Sequence, residues 1–235
     1  MKKIVRNTSA PTGDVSAFLQ RANQMQAMVT HGQKPGRLAF IIDATASRQP
    51  AWDKASRIQG RMFEAVDGIG HLQVQLVYFR GFDDFHASAW LNDSKTLLLE
   101  MNGVSCLAGH TRIERAFRHL LTETSRQPVA AAVYIGDACE EPAPVLLQLA
   151  GQLGLRKTPL FMFQENNDPH TSGIFEAVAR LSGGAYCRFD SSSVDMLIQL
   201  LSAVAVYAAG GKSAMAAFTS DGSPQLQDLT RQLLR

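Results

Sequence analysis

Paired cysteines are missing from this sequence. Its three cysteines, Cys106, Cys139 and Cys187, lie far apart, with no C-x-x-C and no even set to cross-link. That excludes a disulfide scaffold and suits a reducing compartment, where thiols stay free and bury as small apolar groups. Cys139, although beside an acidic loop, reads first as a packing residue. Excess charge of one sign is missing too: 23 Lys+Arg stand against 21 Asp+Glu, a net of +2. The only dense basic group is Lys2, Lys3 and Arg6, near the chain start, so nothing argues for nucleic acid as a partner. The opening lysines are not followed by an apolar segment, which is unlike a signal peptide. The apolar run from Ile198 to Ala209 is about 12 residues, shorter than a membrane span. The expectation is a cytoplasmic protein with no membrane partner.

Nucleotide and hydrolase signatures are absent or incomplete. No G-x-G-x-x-G follows the first apolar run. Gly210-Gly211-Lys212-Ser213 has the tail of a phosphate loop, but Val206 occupies the position of its first glycine and a helical pattern precedes it. His71, His86, His110, His119 and His170 have no spacing that nominates a Ser/His/Asp triad.

What is present is 235 residues, 46% hydrophobic and 19% charged, enough for one large α/β domain with a full core. Val15, Phe18, Leu19, Ala22, Met25 and Met28 recur at helical spacing, giving an extension over residues 1–35 with an amphipathic helix. The main domain is expected over 36–210. Leu38 to Ile42 reads as a buried strand ending at Asp43, and Pro50 opens a helix carrying Ile58, Met62, Val66 and Ile69. His71 to Arg80 alternates as a strand, Phe85 to Trp90 returns antiparallel, and Asn92 to Met101 reads as a short helix. Thr111-x-x-Glu114 has the form of a capping box, followed by Ile113, Ala116, Phe117, Leu120 and Leu121 on one helical face.

Further along, Val129 to Ile135 is a strand ending at Gly136-Asp137. Helix (Pro142–Leu153), strand (Leu160–Phe163), helix (Ser172–Ser182), strand (Ala185–Phe189) and a last core helix (Val194–Ala209) follow. Alternation of strands and helices implies an α/β fold with an open, mostly parallel, Rossmann-like sheet covered by helices on both faces. Residues 211–235 read as a polar linker and a C-terminal helix with Leu226, Leu229, Leu233 and Leu234.

The informative residues are scattered along the chain. Asp43-Ala44-Thr45-Ala46-Ser47 follows the first strand, Thr111 opens the middle helix, and Asp137 ends a later strand. In an open α/β sheet, strand ends and helix starts meet in a crevice where the strand order reverses. If the Leu38 and Val129 strands straddle that point, two carboxylates and three hydroxyls converge there. This is a hard-oxygen set suited to Mg²⁺, Mn²⁺ or Ca²⁺ over zinc or copper.

This arrangement resembles the metal-ion-dependent adhesion site of von Willebrand factor A (VWA) domains. That pattern is Asp-x-Ser-x-Ser after the first strand, a Thr at a later helix start and an Asp after the fourth strand. Asp43, Thr45 and Ser47 match the first part with Thr for the first Ser, Thr111 the second and Asp137 the third. His110 stands where the pattern often has glycine, and Gly136-Asp137-Ala138 where it commonly has Thr-Asp-Gly. The resemblance covers about residues 37 to 209. It implies a six-stranded sheet with one antiparallel edge strand and one divalent cation held by Asp43, Thr45, Ser47, Thr111 and Asp137. It further implies a non-enzymatic interaction module for a protein partner that offers an Asp or Glu carboxylate, beside an ATPase in some relatives.

Alternatives stay open at this stage. Asp43 could serve a phosphatase as nucleophile, but such chemistry wants a general acid two residues on, where this chain has Thr45. A metal-free scaffold could instead dock through its terminal helices. Glu140 and Glu141 read first as a solvated helix start. Alternatively they overhang the metal edge, strengthening cation binding and repelling an acidic partner.

Overall fold

A computed structural model describes residues 35–46, 72–189, 194–220 and 222–234. The strands are β1 (Gly36–Asp43), β2 (Leu72–Arg80), β3 (Asp84–Ala87), β4 (Ala131–Gly136), β5 (Leu160–Glu165) and β6 (Ala185–Phe189). The helices are α1 (Ser94–Asn102), α2 (Ile113–Arg126), α3 (Ala143–Leu155), α4 (Pro169–Ser182), α5 (Val194–Thr219) and α6 (Pro224–Leu234). Ser47 and the helix expected from Pro50 lie outside the described residues, as does the N-terminal extension with its amphipathic helix.

The strands form one six-stranded sheet in the order β3-β2-β1-β4-β5-β6. Every pairing is parallel except β2 with β3, so β3 is the antiparallel edge strand. The regular ladder of β3 ends at Ala87, but the antiparallel return goes on: the Ser88 N–H donates to the Leu76 carbonyl at 2.8 Å, its hydroxyl accepts the Leu76 N–H at 3.0 Å, and Leu91 pairs with Val74.

Burial explains why the central strands are nearly all apolar. From Arg37 to Asp43 every residue of β1 is buried, as a strand covered on both faces must be. Successive side chains alternate faces. Leu38, Phe40 and Ile42 join Val133, Ile135, Phe161 and Phe163 under α5, while Ala39 and Ile41 join Val77, Phe79, Tyr134 and Met162 under α2, α3 and α4. Arg37, buried within β1, pairs with Glu123 at 2.9 Å and lies 3.7 Å from the centre of the Trp90 ring. Burial would push the Glu123 carboxyl up, but hydrogen bonds from Trp90 and Arg37 hold it below its ordinary value.

The end of the chain departs from the sequence-based reading. Residues 211–219 are helical, not a linker: α5 bends at Gly211, whose φ is +74°, and continues to Thr219. The double glycine reads as a stop, yet Met215 and Phe218 beyond it bury in the core and hold the chain helical. The stretch Asp195–Thr219 is long and apolar enough to cross a membrane, and half of its most apolar window is buried within the fold. A core helix is apolar on most sides for the same reason.

Helix α6 also belongs to the body of the fold. Leu226, Leu229 and Leu233 are buried on their own sheet, so they are not offered as a docking surface. The Gln232 side chain accepts from the Tyr186 N–H at 2.9 Å and donates to the Tyr186 carbonyl at 3.0 Å. One amide thus satisfies both backbone groups of Tyr186 on the outer edge of β6 as a neighbouring strand would. Replacing Leu229 by Ala is expected to destabilise the fold by roughly 2–5 kcal/mol in urea titration. A loss under about 0.5 kcal/mol would show that α6 is a detachable appendage.

Candidate functional site

The crossovers from β1 and β4 leave in opposite directions, and this opens a crevice at the carboxyl edge between the two strands. Ile42 sits beside Ile135 in the ladder, which brings the last residue of β1, Asp43, alongside Gly136 and next to Asp137. The Asp43 carboxylate has no solvent exposure and accepts the Thr45 N–H at 2.8 Å. Thr45 is itself buried and pairs in parallel with Leu107.

That pairing is one of several stitches fixing the loop that leads to Thr111. The Leu107 N–H donates to the Ala44 carbonyl at 3.1 Å, and the Gly81 N–H to the Leu107 carbonyl at 3.2 Å. A Cβ on Gly109 would lie 1.8 Å from the Gly81 carbonyl oxygen, so only glycine allows the loop to press on the β2–β3 turn.

Thr111 is buried, and its contacts come from the loop after β4, about 30 residues away. Its hydroxyl donates to the Glu141 carboxylate. The same oxygen accepts the Glu140 N–H at 3.1 Å, and the Thr111 N–H donates to the Glu140 carboxylate at 3.0 Å. Glu141 also accepts from the Ile113 N–H and from the Glu114 N–H, the latter at 3.3 Å. Its carboxylate therefore sits on the first amides of α2, where an anion is favoured by unpaired N–H groups and by the helix dipole.

The expected capping box is not formed. Helix α2 begins at Ile113, with Arg112 in the cap position and no side-chain cap from it, and Glu114 reaches forward to Arg118 at 2.8 Å. Glu141 supplies the cap instead, because an ionised carboxylate is a stronger acceptor for those amides than a hydroxyl. No local signal in the sequence announces this contact, since its partners are 27 to 30 residues apart. Glu140 and Glu141 are thus not simply a solvated helix start.

Two departures from the adhesion-site pattern acquire physical reasons. His110 is exposed; its Nδ1 lies 3.0 Å from Glu140 and its ring packs edge-on to Phe82. Its side chain is turned to the surface rather than buried among the candidate ligands. At Gly136 a Cβ would lie 2.5 Å from the Tyr134 hydroxyl, so the small residue here goes with the large one two positions earlier.

The structure accordingly brings Asp43, Thr45, Thr111 and Asp137 to one edge of the sheet, on segments linked by the hydrogen bonds above. Ser47 lies outside the described residues. Among the described residues no three acidic, histidine or cysteine side chains gather in a way that could hold a metal. Any cation at this edge would need hydroxyl oxygens as well as carboxylates. The donor chemistry fits one: the Thr111 hydroxyl has directed its proton to Glu141 and one lone pair to Glu140, which leaves the other lone pair for a further contact.

Cys139 is buried in the same loop, and burial, together with the nearby Glu141 and Glu140 carboxylates, pushes its thiol up to about 11. Burial likewise raises Cys187 to about 11. With only about one molecule in a thousand ionised at pH 8, both thiols should resist iodoacetamide in the native state, while the partly exposed Cys106 reacts first. Cys139 alkylation at the rate of a free thiol would contradict this placement. Replacing Glu141 by Ala should cost about 0.5–2 kcal/mol in denaturant titration, as loss of a helix cap does. Glu114→Ala should cost less than about 0.5 kcal/mol, the value of an exposed pair along a helix. The reverse order would restore the capping box.

No protein-family model and no curated protein matches the sequence. Solved structures do match the fold. An aerotolerance-related membrane protein from Bacteroides fragilis superposes with a TM-score of 0.52 at 16% identity, over 69% of this chain and 98% of that one. The SpRpn10 VWA domain gives a TM-score of 0.55 at 10% identity, over 70% of this chain and 94% of that one. The ArnB paralog VWA2 from Sulfolobus acidocaldarius gives 0.55 at 12% identity, over 72% of this chain, which spans only 46% of that larger protein. Identities this low bear on the fold alone, and the fold of this chain is that of a von Willebrand factor A domain.

Proposed function

We propose that this domain is a divalent-cation-dependent interaction module that binds a protein partner through one of the partner's carboxylates. The observation that carries the reading is the state of Thr111. Its hydroxyl is buried at the sheet edge with its proton committed to Glu141 and one lone pair to the Glu140 N–H, so toward any further group its oxygen can act only as an acceptor. A hydroxyl held this way is a better ligand for a hard cation, as partners beyond the coordination shell commonly make it. Thr45 and Ser47 would add hydroxyl oxygens from the loop after β1. Asp43 and Asp137 would contribute carboxylates, directly or through water.

A bound Mg²⁺, Mn²⁺ or Ca²⁺ would supply a centre with remaining positive charge, able to accept a carboxylate oxygen from outside. The chain's part is to hold the oxygens in place. Burial of Asp43 and Thr45 fixes one side of the crevice, and the Glu140 and Glu141 contacts fix the other. A neutral-rich donor set suits this task, because each added anionic ligand would lower the attraction for a partner's carboxylate.

Calorimetric titration with Mg²⁺ and Mn²⁺ tests the proposal. The wild-type protein should take up about one ion at millimolar concentration or below. Asp43→Ala and Asp137→Ala should weaken uptake by at least about tenfold, the equivalent of roughly 1.4 kcal/mol, while circular dichroism stays native. Uptake unchanged in both variants would overturn it.

A further inference from the structure

Two glutamates flank Thr111, and they act on different parts of it. The Glu140 carboxylate meets the backbone, accepting the Thr111 N–H at 3.0 Å beside the exposed His110 ring. The Glu140 N–H fills one lone pair of the Thr111 hydroxyl at 3.1 Å. The hydroxyl proton itself goes to Glu141. Both carboxylates stand next to Thr111, so either would attract a cation placed there, and charge alone does not separate their roles.

The seating of Glu141 does separate them. Its Oε1 accepts the Ile113 and Glu114 N–H groups, and its Oε2 accepts the Thr111 hydroxyl. Two backbone N–H groups can only donate, whereas a hydroxyl can donate or accept. A carboxylate accepts at both ends, so the hydroxyl is obliged to donate to it. The last lone pair of the Thr111 oxygen is then left for a further group.

Glutamine at position 141 has nearly the same shape and would reverse this arrangement. Its carbonyl oxygen must face the two backbone donors, because its NH₂ group would oppose them there. The NH₂ group is left against Thr111 and donates to the hydroxyl oxygen. With the Glu140 N–H already on that oxygen, both lone pairs are filled and the hydroxyl proton turns to the remaining direction. The cap of α2 is kept, and the acceptor is lost.

We infer that Glu141 is a positioning residue for the cation: by taking the Thr111 proton it makes that hydroxyl a ligand, a role Glu140 does not share. The inference rests on the cation-binding reading above and assigns the residue on which the Thr111 ligand depends.

Calorimetric titration with Mg²⁺ compares the wild-type chain with Glu140→Gln, Glu141→Gln and Glu141→Ala. Each is checked for native circular dichroism and for its urea midpoint in EDTA. The two glutamine variants remove the same charge beside the same residue. Glu141→Gln should nevertheless bind at least about tenfold more weakly than Glu140→Gln, the usual loss when a group behind a metal ligand is changed. Glu141→Ala, which leaves the hydroxyl free to turn, should bind more tightly than Glu141→Gln although it is the less stable of the two. A merely capping role gives the opposite order, with uptake following stability.

A measurement on the wild type decides the matter should a variant fail to fold. A hydroxyl that ligates a cation donates more strongly to Glu141, so saturating Mg²⁺ should slow amide exchange at Ile113 and Glu114 severalfold. Thr171, at the Asp168-capped start of α4, should not slow with them. Equal binding by the two glutamine variants, tighter binding by Glu141→Gln than by Glu141→Ala, or exchange at Ile113 indifferent to Mg²⁺ overturns the inference. Wild-type uptake that Asp43→Ala weakens would then leave the cation site standing. No uptake by the wild type brings down both.

Discussion

Two adjacent parallel strands whose crossovers run opposite ways leave a gap that nothing in the sheet can fill. Strands β1 and β4 meet in this way, and a polar residue follows at the end of each. Asp43 is fully buried there, and burial of a carboxylate is tolerated only when hydrogen bonds or a cation compensate it. The Thr45 N–H supplies one such bond and at the same time sets the shape of the loop after β1. Thr45 then pairs with Leu107, and the Leu107 segment leads to Thr111. The geometry of the candidate site thus descends from the placement of one carboxylate at a reversal of strand order.

A second constraint closes the opposite side. Glu141 places a negative charge on the first amides of α2 and takes the Thr111 proton, coupling the start of one helix to the loop before the next. The contact serves stability and site geometry together. It caps α2, which lacks a side-chain cap of its own, and it fixes which face of the Thr111 hydroxyl remains free. The tenants of the rim follow: His110 turns outward to Glu140 and Phe82, and Arg112 ties the Phe82 turn to the same helix start.

Much of the fold was legible in the sequence, for identifiable reasons. Leu38–Ile42 and Val129–Ile135 are continuous apolar runs because both faces of a central parallel strand are buried, and both appear as central strands. The antiparallel return after Gly81 was legible from the turn residues that precede it. The course of α5 was not, because Gly210-Gly211 carries the local signature of a stop, whereas burial of Met215 and Phe218 decides the outcome. At the site, Asp43, Thr45, Thr111 and Asp137 could be nominated since strand ends and helix starts meet at a known place in such sheets. Glu141 as the cap of α2 could not, because a contact across about 30 residues leaves no periodicity to read. The same holds for the fit of Gly109 on Gly81 and of Gly136 beneath Tyr134, which are matters of close approach in space.

The central claim is that oxygens from the loop after β1, the start of α2 and the end of β4 hold one cation. Crystals grown with Mn²⁺ and measured for its anomalous signal test this most directly. A single strong peak is expected at the β1–β4 edge, within bonding reach of the Thr111 hydroxyl oxygen and of oxygens following β1. A peak bound elsewhere, or none at millimolar Mn²⁺ with Thr111 still turned to Glu141, would contradict it.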